Sequence, residues 1–315
     1  MTLVFGMLVI VPPQLYVELV TRGELNPGYL SFYAEYLNLN TDLATYRQTP
    51  LGLLTWGHLW FLPYLFIYSV IIIALMPVFR RIASLGKSGD NSAPGFTLCV
   101  MVVLGACWWV LKPLYPSTHD LVNDWYNHGK YFIVMLAGVW LALRPALWAS
   151  LVRFRRVFLL SAVVCYSLII MDRHDWFDEA AAPYENALWL QVFITFVVML
   201  NHWGWILAIV GYGSEYLSKP STVIQKLNRA VLPYYLFHQT LIIVFAYWLM
   251  PVNLPVWIEV AILIVGVVAG CHVGYRIVDA TPGLRALSGL KKQKASESLC
   301  NNESRSEPEH LKAIS

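Results

Sequence analysis

Long apolar stretches separated by short polar segments form the dominant pattern along this chain. Most of them run for about twenty residues with almost no charge, the length that a helix needs to cross a bilayer. The pattern predicts eight membrane-spanning helices, over residues 2–16, 57–79, 96–111, 131–148, 157–171, 188–212, 231–250 and 254–278. We therefore expect an all-α fold, a polytopic membrane helical bundle. The fourth and fifth helices have the weakest support, because the fourth contains Arg144 and the fifth is short.

Composition agrees with a membrane protein and excludes several other classes. Of the 315 residues, 58% are hydrophobic and 13% are charged, whereas a soluble domain has about 25% charged residues. The net charge of +3 is too small to indicate a nucleic-acid partner, so the partner expected from composition is the lipid bilayer. The domain organisation predicted is a membrane domain over residues 1–285 and a disordered cytoplasmic tail, rich in Ser, Lys and Glu, over residues 286–315.

The distribution of lysine and arginine predicts the orientation. If the N-terminus is inside and the chain crosses eight times, the inner segments hold 17 of the 22 basic residues. The outer segments then hold the other five, namely Arg22, Arg47, Lys112, Lys130 and Arg173. Cytoplasmic loops carry such an excess of basic residues, and the opposite orientation would invert the bias. We therefore predict a multi-pass protein of the cell inner (plasma) membrane with both ends of this chain in the cytoplasm.

Ionisable side chains inside the predicted spans are the candidates for chemistry, because they are costly in a bilayer. They are Glu18, His58, His202, His238, Glu259 and His272. An imidazole can remove a proton from an alcohol near neutral pH. The alternative for each histidine is a hydrogen bond that fixes helix packing. The two interpretations are balanced at His58 and His238, and packing is favoured at His202 and His272.

Two polar loops offer weaker signals. Residues 21–57 are rich in Tyr, Phe and Trp, which favours an aromatic belt at the headgroups over rings that stack on sugars. The loop of residues 112–130 contains His119, Asp120, Asp124 and His128, but their spacing matches no familiar ligand set, so a solvated loop is favoured over a metal site. The five cysteines form no CxxC pair, and no metal is expected.

Two short motifs resemble those of the acyltransferase-3 family of membrane acyltransferases. Gly57-His58-Leu59-Trp60-Phe61-Leu62, at the start of a long span, is similar to the HLWFL signature of that family. Tyr234-Tyr235-Leu236-Phe237-His238-Gln239 is similar to its late YxxH-type motif. Within the family, residues 5–14 and 283–291 resemble the glucan biosynthesis protein C branch, which is said to succinylate periplasmic glucans.

The resemblance implies transfer of an acyl group, such as succinyl or acetyl, from a cytoplasmic acyl-CoA to a hydroxyl of an extracytoplasmic glycan. Acyl-CoA is then a co-substrate, and no bound cofactor is expected. His238 takes the role of base or acyl-relay residue and His58 orients the acceptor. Trp60, Tyr234, Gln239 and His202 are the implied substrate-binding residues.

The family also implies about ten spans and an Arg/His pair in the first of them. No such pair precedes His58, and the first apolar span starts at Met1 without a polar leader, so we expect that the chain begins inside a longer protein. Three alternatives stay open. They are a transporter or flippase, favoured by the intramembrane histidines and the Pro-broken first helix, a membrane scaffold, and an inactive truncated member of the family.

Overall fold

Helices make up nearly all of the folded chain. The computed structural model describes residues 1–26, 28–47, 49, 51–85, 93–184, 187–219 and 221–290, so the predicted tail lies outside the described residues from residue 291 onward. Within this part there is no strand. Its α-helices are α1 Thr2–Phe5, α2 Pro12–Thr21, α3 Tyr29–Leu37, α4 Phe61–Leu85, α5 Ala93–Leu111, α6 Trp125–Leu143, α7 Pro145–Arg173, α8 Asp178–Ala181, α9 Leu188–Tyr216, α10 Thr222–Leu249, α11 Val256–Ala280 and α12 Pro282–Leu287.

Seven segments of the described residues are long and apolar enough to cross a membrane. They are the stretch Thr2–Thr21, which contains α1 and α2, and the segments built on α4, α5, α7, α9, α10 and α11. The prediction of an all-α, polytopic membrane bundle is confirmed. Although α6 is long enough, its composition keeps it out of this set, because polar residues, among them Asn127, His128 and Lys130, occupy its first two turns.

The predicted boundary between the fourth and fifth spans is wrong. The structure ends α6 at Leu143, and Arg144 leaves the helical conformation with φ −126° and ψ 84°. The next helix begins at Pro145 and runs for 29 residues, so it is twice as long as the predicted fifth span. The cause is local, because the ring of a proline disfavours helical geometry in the preceding residue and suits the first position of a new helix.

The described chain divides into two compact units. The terminal unit comprises residues 1–59 and those from residue 225 onward, and the central unit comprises residues 60–224. In the central unit, α7 and α9 pack closely because α9 presents glycines to α7. A Cβ on Gly204 would lie 3.3 Å from the Cβ of Ala162, and one on Gly211 would lie 2.8 Å from the Cβ of Arg155.

In the terminal unit, α10 packs against the glycine ladder of α11. Cβ atoms on Gly266, Gly270 and Gly274 would lie 3.2, 2.9 and 3.0 Å from the side chains of Phe245, Leu241 and Phe237 respectively. The ladder of small residues in α11 therefore has the packing role that its spacing indicates.

The loop of residues 112–124 is mostly exposed, as predicted for a solvated loop, but its end at Asp124 is anchored in the central unit. Asp124 is fully buried and accepts hydrogen bonds from the Tyr64 hydroxyl (2.7 Å) and the backbone N–H of His119 (3.1 Å). His128 donates from Nε2 to the Leu121 carbonyl (2.8 Å), and its Nδ1 lies 2.8 Å from the Tyr68 hydroxyl. The polar residues of this loop tie it to α4 and α6.

Candidate functional site

The site begins with a break in the first helix of the terminal unit. Pro12 and Pro13 have no backbone N–H, so the α-helical hydrogen-bond ladder cannot continue through them. The chain adopts a π-helical segment over Gly6–Ile10, in which the Val11 N–H bonds to the Gly6 carbonyl at 2.9 Å. The carbonyls of residues 7, 8 and 10 lose their usual donors and need other partners, because none is available from lipid.

Side chains of the same unit satisfy these carbonyls. The hydroxyls of Tyr36 and Tyr33 donate to the carbonyls of Met7 (2.7 Å) and Leu8 (2.9 Å). The aromatic residues of α3 therefore pack on the broken helix, and Phe32 and Tyr36 are fully buried. This arrangement replaces the aromatic belt predicted for them. Burial also raises the pKa of Tyr36 to about 12, so its phenol keeps the proton that it donates.

The Ile10 carbonyl starts a chain of hydrogen bonds that ends at His58. It accepts from the Thr240 hydroxyl at 2.7 Å. Because that hydroxyl proton is used, Thr240 Oγ1 accepts from the Gln14 amide nitrogen at 2.6 Å. The same amide nitrogen lies 3.0 Å from His58 Nδ1 and donates its second proton there. The chain of donors orients the Gln14 amide and makes His58 Nδ1 an acceptor.

The other ring nitrogen of His58 is also engaged. Nε2 lies 3.1 Å from the Leu236 carbonyl, which only accepts, so Nε2 carries the proton. His58 is thus a neutral imidazole in the Nε2–H tautomer that joins α2 to α10. These hydrogen bonds are of the kind that the helix-packing interpretation of His58 predicts.

The backbone around His58 is held as firmly as its ring. The Tyr235 hydroxyl donates to the His58 carbonyl at 2.9 Å. Gly57 has φ +48°, a conformation that side chains with a Cβ rarely adopt, and a Cβ there would also lie 3.3 Å from the Val11 side chain. At Gly6 a Cβ would collide with the Leu59 side chain. The two glycines let the broken helix and the segment of His58 approach closely.

His238 has the opposite tautomer. Its Nδ1 lies 2.9 Å from the Tyr235 carbonyl and 3.2 Å from the Tyr234 carbonyl, both of which only accept, so Nδ1 carries the proton. Nε2 therefore has an unshared electron pair. Among the residues that the structure describes, no hydrogen bond to this nitrogen is recorded. The His238 ring is half-buried and stands 5.6 Å from the His58 ring, centroid to centroid, at an interplanar angle of 89°.

The structure brings together some of the residues expected at the site. His58 and His238 are neighbours, with the Tyr235 ring 6.0 and 5.9 Å from their rings. Gln239 follows on α10 and is half-buried. The Tyr234 side chain instead reaches toward His272, with its hydroxyl 3.4 Å from His272 Nδ1.

Two of the expected substrate-binding residues belong to the central unit. The Trp60 ring lies 4.3 Å from the His119 ring and 5.4 Å from that of Tyr131. His202 is exposed on α9. No contact between Trp60 and His202 is recorded in the described part of the chain.

Sequence reasoning missed Gln14, Thr240 and Tyr235 as partners of the two histidines. A signal was present for Gln14, since an amide in the middle of an apolar span, directly after two prolines, needs a polar partner. For Thr240 the signal is weaker, because a threonine on a membrane helix can bond its own backbone. In chemical terms the arrangement offers one imidazole with a free basic nitrogen beside a second imidazole whose nitrogens are both engaged.

A comparison with known protein families identifies the family to which this chain belongs. The model described as an acyltransferase domain, that of the acyltransferase-3 family, matches residues 1–276. This range contains His58, His238 and their partners. No curated protein and no solved structure matches the chain with significance. The match covers most of the chain, and together with the apolar helices it shows that the chain belongs to the acyltransferase-3 family of multi-pass membrane acyltransferases.

Proposed function

We propose that this protein moves an acyl group, succinyl or acetyl, from a cytoplasmic acyl-CoA to a hydroxyl of an extracytoplasmic glycan, with His238 as the base. The observation that carries the proposal is the tautomer of His238. Its Nδ1–H is held by the carbonyls of residues 234 and 235, so the lone pair of Nε2 remains available. A half-buried, oriented imidazole with one open nitrogen suits general-base catalysis at an alcohol.

In the proposed reaction one proton passes to this nitrogen and then leaves it. The acceptor oxygen bonds to the carbonyl carbon of the thioester while Nε2 takes its proton. The carbon–sulfur bond then breaks, and the imidazolium returns the proton to the departing thiolate of coenzyme A. The two carbonyls at Nδ1 stabilise the positive charge that His238 carries between these steps.

His58 has a positioning role in this proposal. Both of its ring nitrogens are engaged, by Gln14 and by the Leu236 carbonyl, so it takes no proton from the acceptor. It instead fixes the middle of α10, the part that presents His238, whose ring faces it. Tyr234 and Gln239, near His238 along α10, are the candidate residues for substrate contact. Trp60 and His202 belong to the central unit, and their role in substrate binding stays a prediction of the resemblance.

The cellular setting follows from the basic residues and the family. We propose that the chain lies in the inner membrane with both ends in the cytoplasm, since that orientation places the excess of lysine and arginine inside. The resemblance of residues 5–14 and 283–291 to the glucan biosynthesis protein C branch supports succinyl as the acyl group and a periplasmic glucan as the acceptor.

The test compares His238→Ala with wild type in inverted membrane vesicles that are given acyl-CoA outside and glycan inside. We expect acylated glycan, measured by mass spectrometry, to fall about 10²- to 10⁴-fold, the usual contribution of a general base. His174→Ala, an exposed loop histidine, is the matched control and retains activity. Undiminished acylation by the His238 variant at equal protein level would remove His238 from the mechanism.

A transporter or flippase is the second candidate, favoured by the broken first helix. The π-helical segment and its diverted carbonyls resemble the discontinuous helices that line substrate paths in transporters. The same vesicles separate the two functions. A transporter would move unmodified glycan across the membrane without acyl-CoA, whereas the proposed enzyme produces acylated glycan and consumes acyl-CoA in equal amounts.

A further inference from the structure

An apolar groove runs along the surface of the central unit between α5 and α9. It encloses about 350 Å³, and its floor includes Gly105 and Ala106 of α5 and Met199 of α9. The walls are exposed apolar side chains, among them Leu98, Val102, Val192 and Phe196. The lack of a side chain at Gly105 creates the depth, since a Cβ there would already touch Thr195 at 3.4 Å.

The length of the groove indicates what kind of molecule can occupy it. On α5 it extends from Leu98 to Trp109, and eleven steps along a helix measure about 16 Å. That is roughly half of the hydrocarbon core of a bilayer, which is about 30 Å thick. A transmembrane helix of another chain would use a groove across the whole thickness. A single lipid acyl chain, which reaches from one surface to the bilayer centre, matches this length.

The end of the groove at Trp109 has the features of a membrane interface. The Trp109 indole N–H donates to the Thr195 hydroxyl at 2.7 Å, so the polar atoms at this end are satisfied by each other. Tryptophan favours the level of the lipid headgroups. The opposite end, at Leu98 and Met101, has only apolar side chains. The groove therefore has a polar end and an apolar end, as a phospholipid does.

A lysine lies beyond this end of the groove, outside its lining. Lys112 follows Gly105 by seven residues, which places it on the same face of the helix, about one turn past Trp109. It is exposed, and its Nζ lies 4.1 Å from the Trp108 ring. A cation at the headgroup level attracts the phosphate of an anionic lipid.

We propose that this groove is a binding site for an anionic phospholipid. One acyl chain lies between α5 and α9 over Gly105 and Ala106, and the phosphate lies at Lys112. The lipid covers apolar surface that both helices leave exposed and links them at the end where Trp109 already bonds to Thr195. The site is separate from His58 and His238, so it stands whether or not the proposed reaction is correct.

The test is native mass spectrometry of the purified full chain after exchange into detergent, with phosphatidylglycerol or phosphatidylcholine added at equal concentrations. We expect one tightly retained phosphatidylglycerol, bound about fivefold better than phosphatidylcholine, the effect of one cation at the membrane surface. Ala106→Leu fills the groove and should abolish retention of both lipids. Lys112→Gln should abolish the preference alone. The controls are Ala269→Leu, an exposed alanine of another span, and Lys219→Gln.

The outcomes separate the proposal from its alternatives. Because Lys112 is exposed, Lys112→Gln leaves the fold intact and keeps the test decisive even if Ala106→Leu does not fold. Equal binding of the two lipids by wild type would overturn the role of Lys112. Unchanged retention in a folded Ala106→Leu protein would overturn the groove as the site. A dimer of wild type that Ala106→Leu dissociates would show that a second copy occupies the groove.

Discussion

At the scale of single residues, two prolines determine where the polar groups of the terminal unit lie. The break that they cause frees backbone carbonyls inside a membrane span, and those of residues 7, 8 and 10 accept from side-chain donors. The Ile10 carbonyl recruits Thr240, which orients Gln14, which in turn sets the tautomer of His58. A break in one helix thereby determines the hydrogen bonds of His58, which lies on another segment.

The first prediction concerns Gln14. Replacing it by leucine removes the donor to His58 Nδ1, so we expect the His58 ring to lose one of its two hydrogen bonds and His238 to lose part of its support. Acyl transfer should fall in kcat, up to about a hundredfold, with KM little changed. Nitrogen-15 spectra of labelled histidine should show a changed signal at Nδ1 of His58, which loses its donor, while Nε2 keeps the proton that it donates to Leu236. Gln191→Leu, at an exposed position of α9, is the control. An unchanged Nδ1 signal of His58 in Gln14→Leu would contradict the hydrogen-bond chain.

A second prediction concerns the donor to Met7. Tyr36→Phe removes the hydroxyl that satisfies this carbonyl and leaves it unpaired in a buried place. We expect the free energy of unfolding to fall by about 1–3 kcal/mol, measured by titration with a denaturing detergent in mixed micelles. Tyr29→Phe, whose ring is partly exposed, should cost less. Equal effects of the two substitutions would mean that the bond to Met7 contributes nothing.

The same tyrosine predicts a dependence on alkaline pH. Burial raises its pKa from 10.0 to about 12 in the folded protein, so the folded state holds the phenolic proton more tightly than the unfolded state does. The stability due to this difference is fully present below about pH 10 and is lost as the pH rises through 12. Unfolding titrations between pH 9 and 12 should show a steeper loss in wild type than in Tyr36→Phe. Parallel curves would contradict the assignment.

At the scale of helices, the sequence predicts most spans well and fails where backbone chemistry intervenes. Long apolar runs such as 188–212 and 254–278 correspond to α9 and α11 within a few residues, because hydropathy alone decides them. The run 131–148 does not correspond to a single helix. Hydropathy carries no information about the conformational restriction that Pro145 imposes on Arg144. The π-helical segment is equally invisible, since it depends on hydroxyls supplied by α3.

The glycine ladder of α11 supports a prediction at this scale. Gly274→Ile forces a branched side chain against the Phe237 ring, which lies 3.0 Å from the position of a Cβ. Overpacking of this kind costs about 1–3 kcal/mol, and the displaced ring belongs to the residue before His238, so activity should fall as well. Gly138→Ile is the matched control, because nothing lies within 4 Å of its Cβ position. Equal stability of the two variants would refute close packing of α10 on α11.

At the scale of the whole molecule, the sequence identifies the two histidines but not what holds them. The motifs of His58 and His238 are recognisable because each is local. Gln14 and Thr240, however, are 226 residues apart, and their hydrogen bond exists only after the terminal unit has formed. The spacing of residues along the chain gives no information about such a pair. Trp60 illustrates the converse, because it is two residues from His58 in sequence yet belongs to the central unit.

The orientation of the whole chain depends on α6, which is less apolar than the seven clear spans. If α6 did not cross, every segment after it would be inverted, and most of the basic residues would lie outside, against the positive-inside rule. Its 19 residues measure about 28 Å, close to the thickness of the hydrocarbon core. We therefore expect eight crossings, with α6 returning the chain to the cytoplasmic side before α7.

Labelling of single cysteines tests this orientation. In a variant without its native cysteines, His174→Cys should react with a membrane-impermeant maleimide in cells whose outer membrane alone has been opened. Ser218→Cys should react only after the inner membrane is also permeabilised. Both positions are exposed and follow α6 in the chain, so each changes sides if α6 does not cross. The reverse labelling pattern would show seven crossings and would place the C-terminal part of α11 outside. The expected pattern instead places Asp279, together with Arg229 and Arg285 that both pair with it, at the cytoplasmic surface.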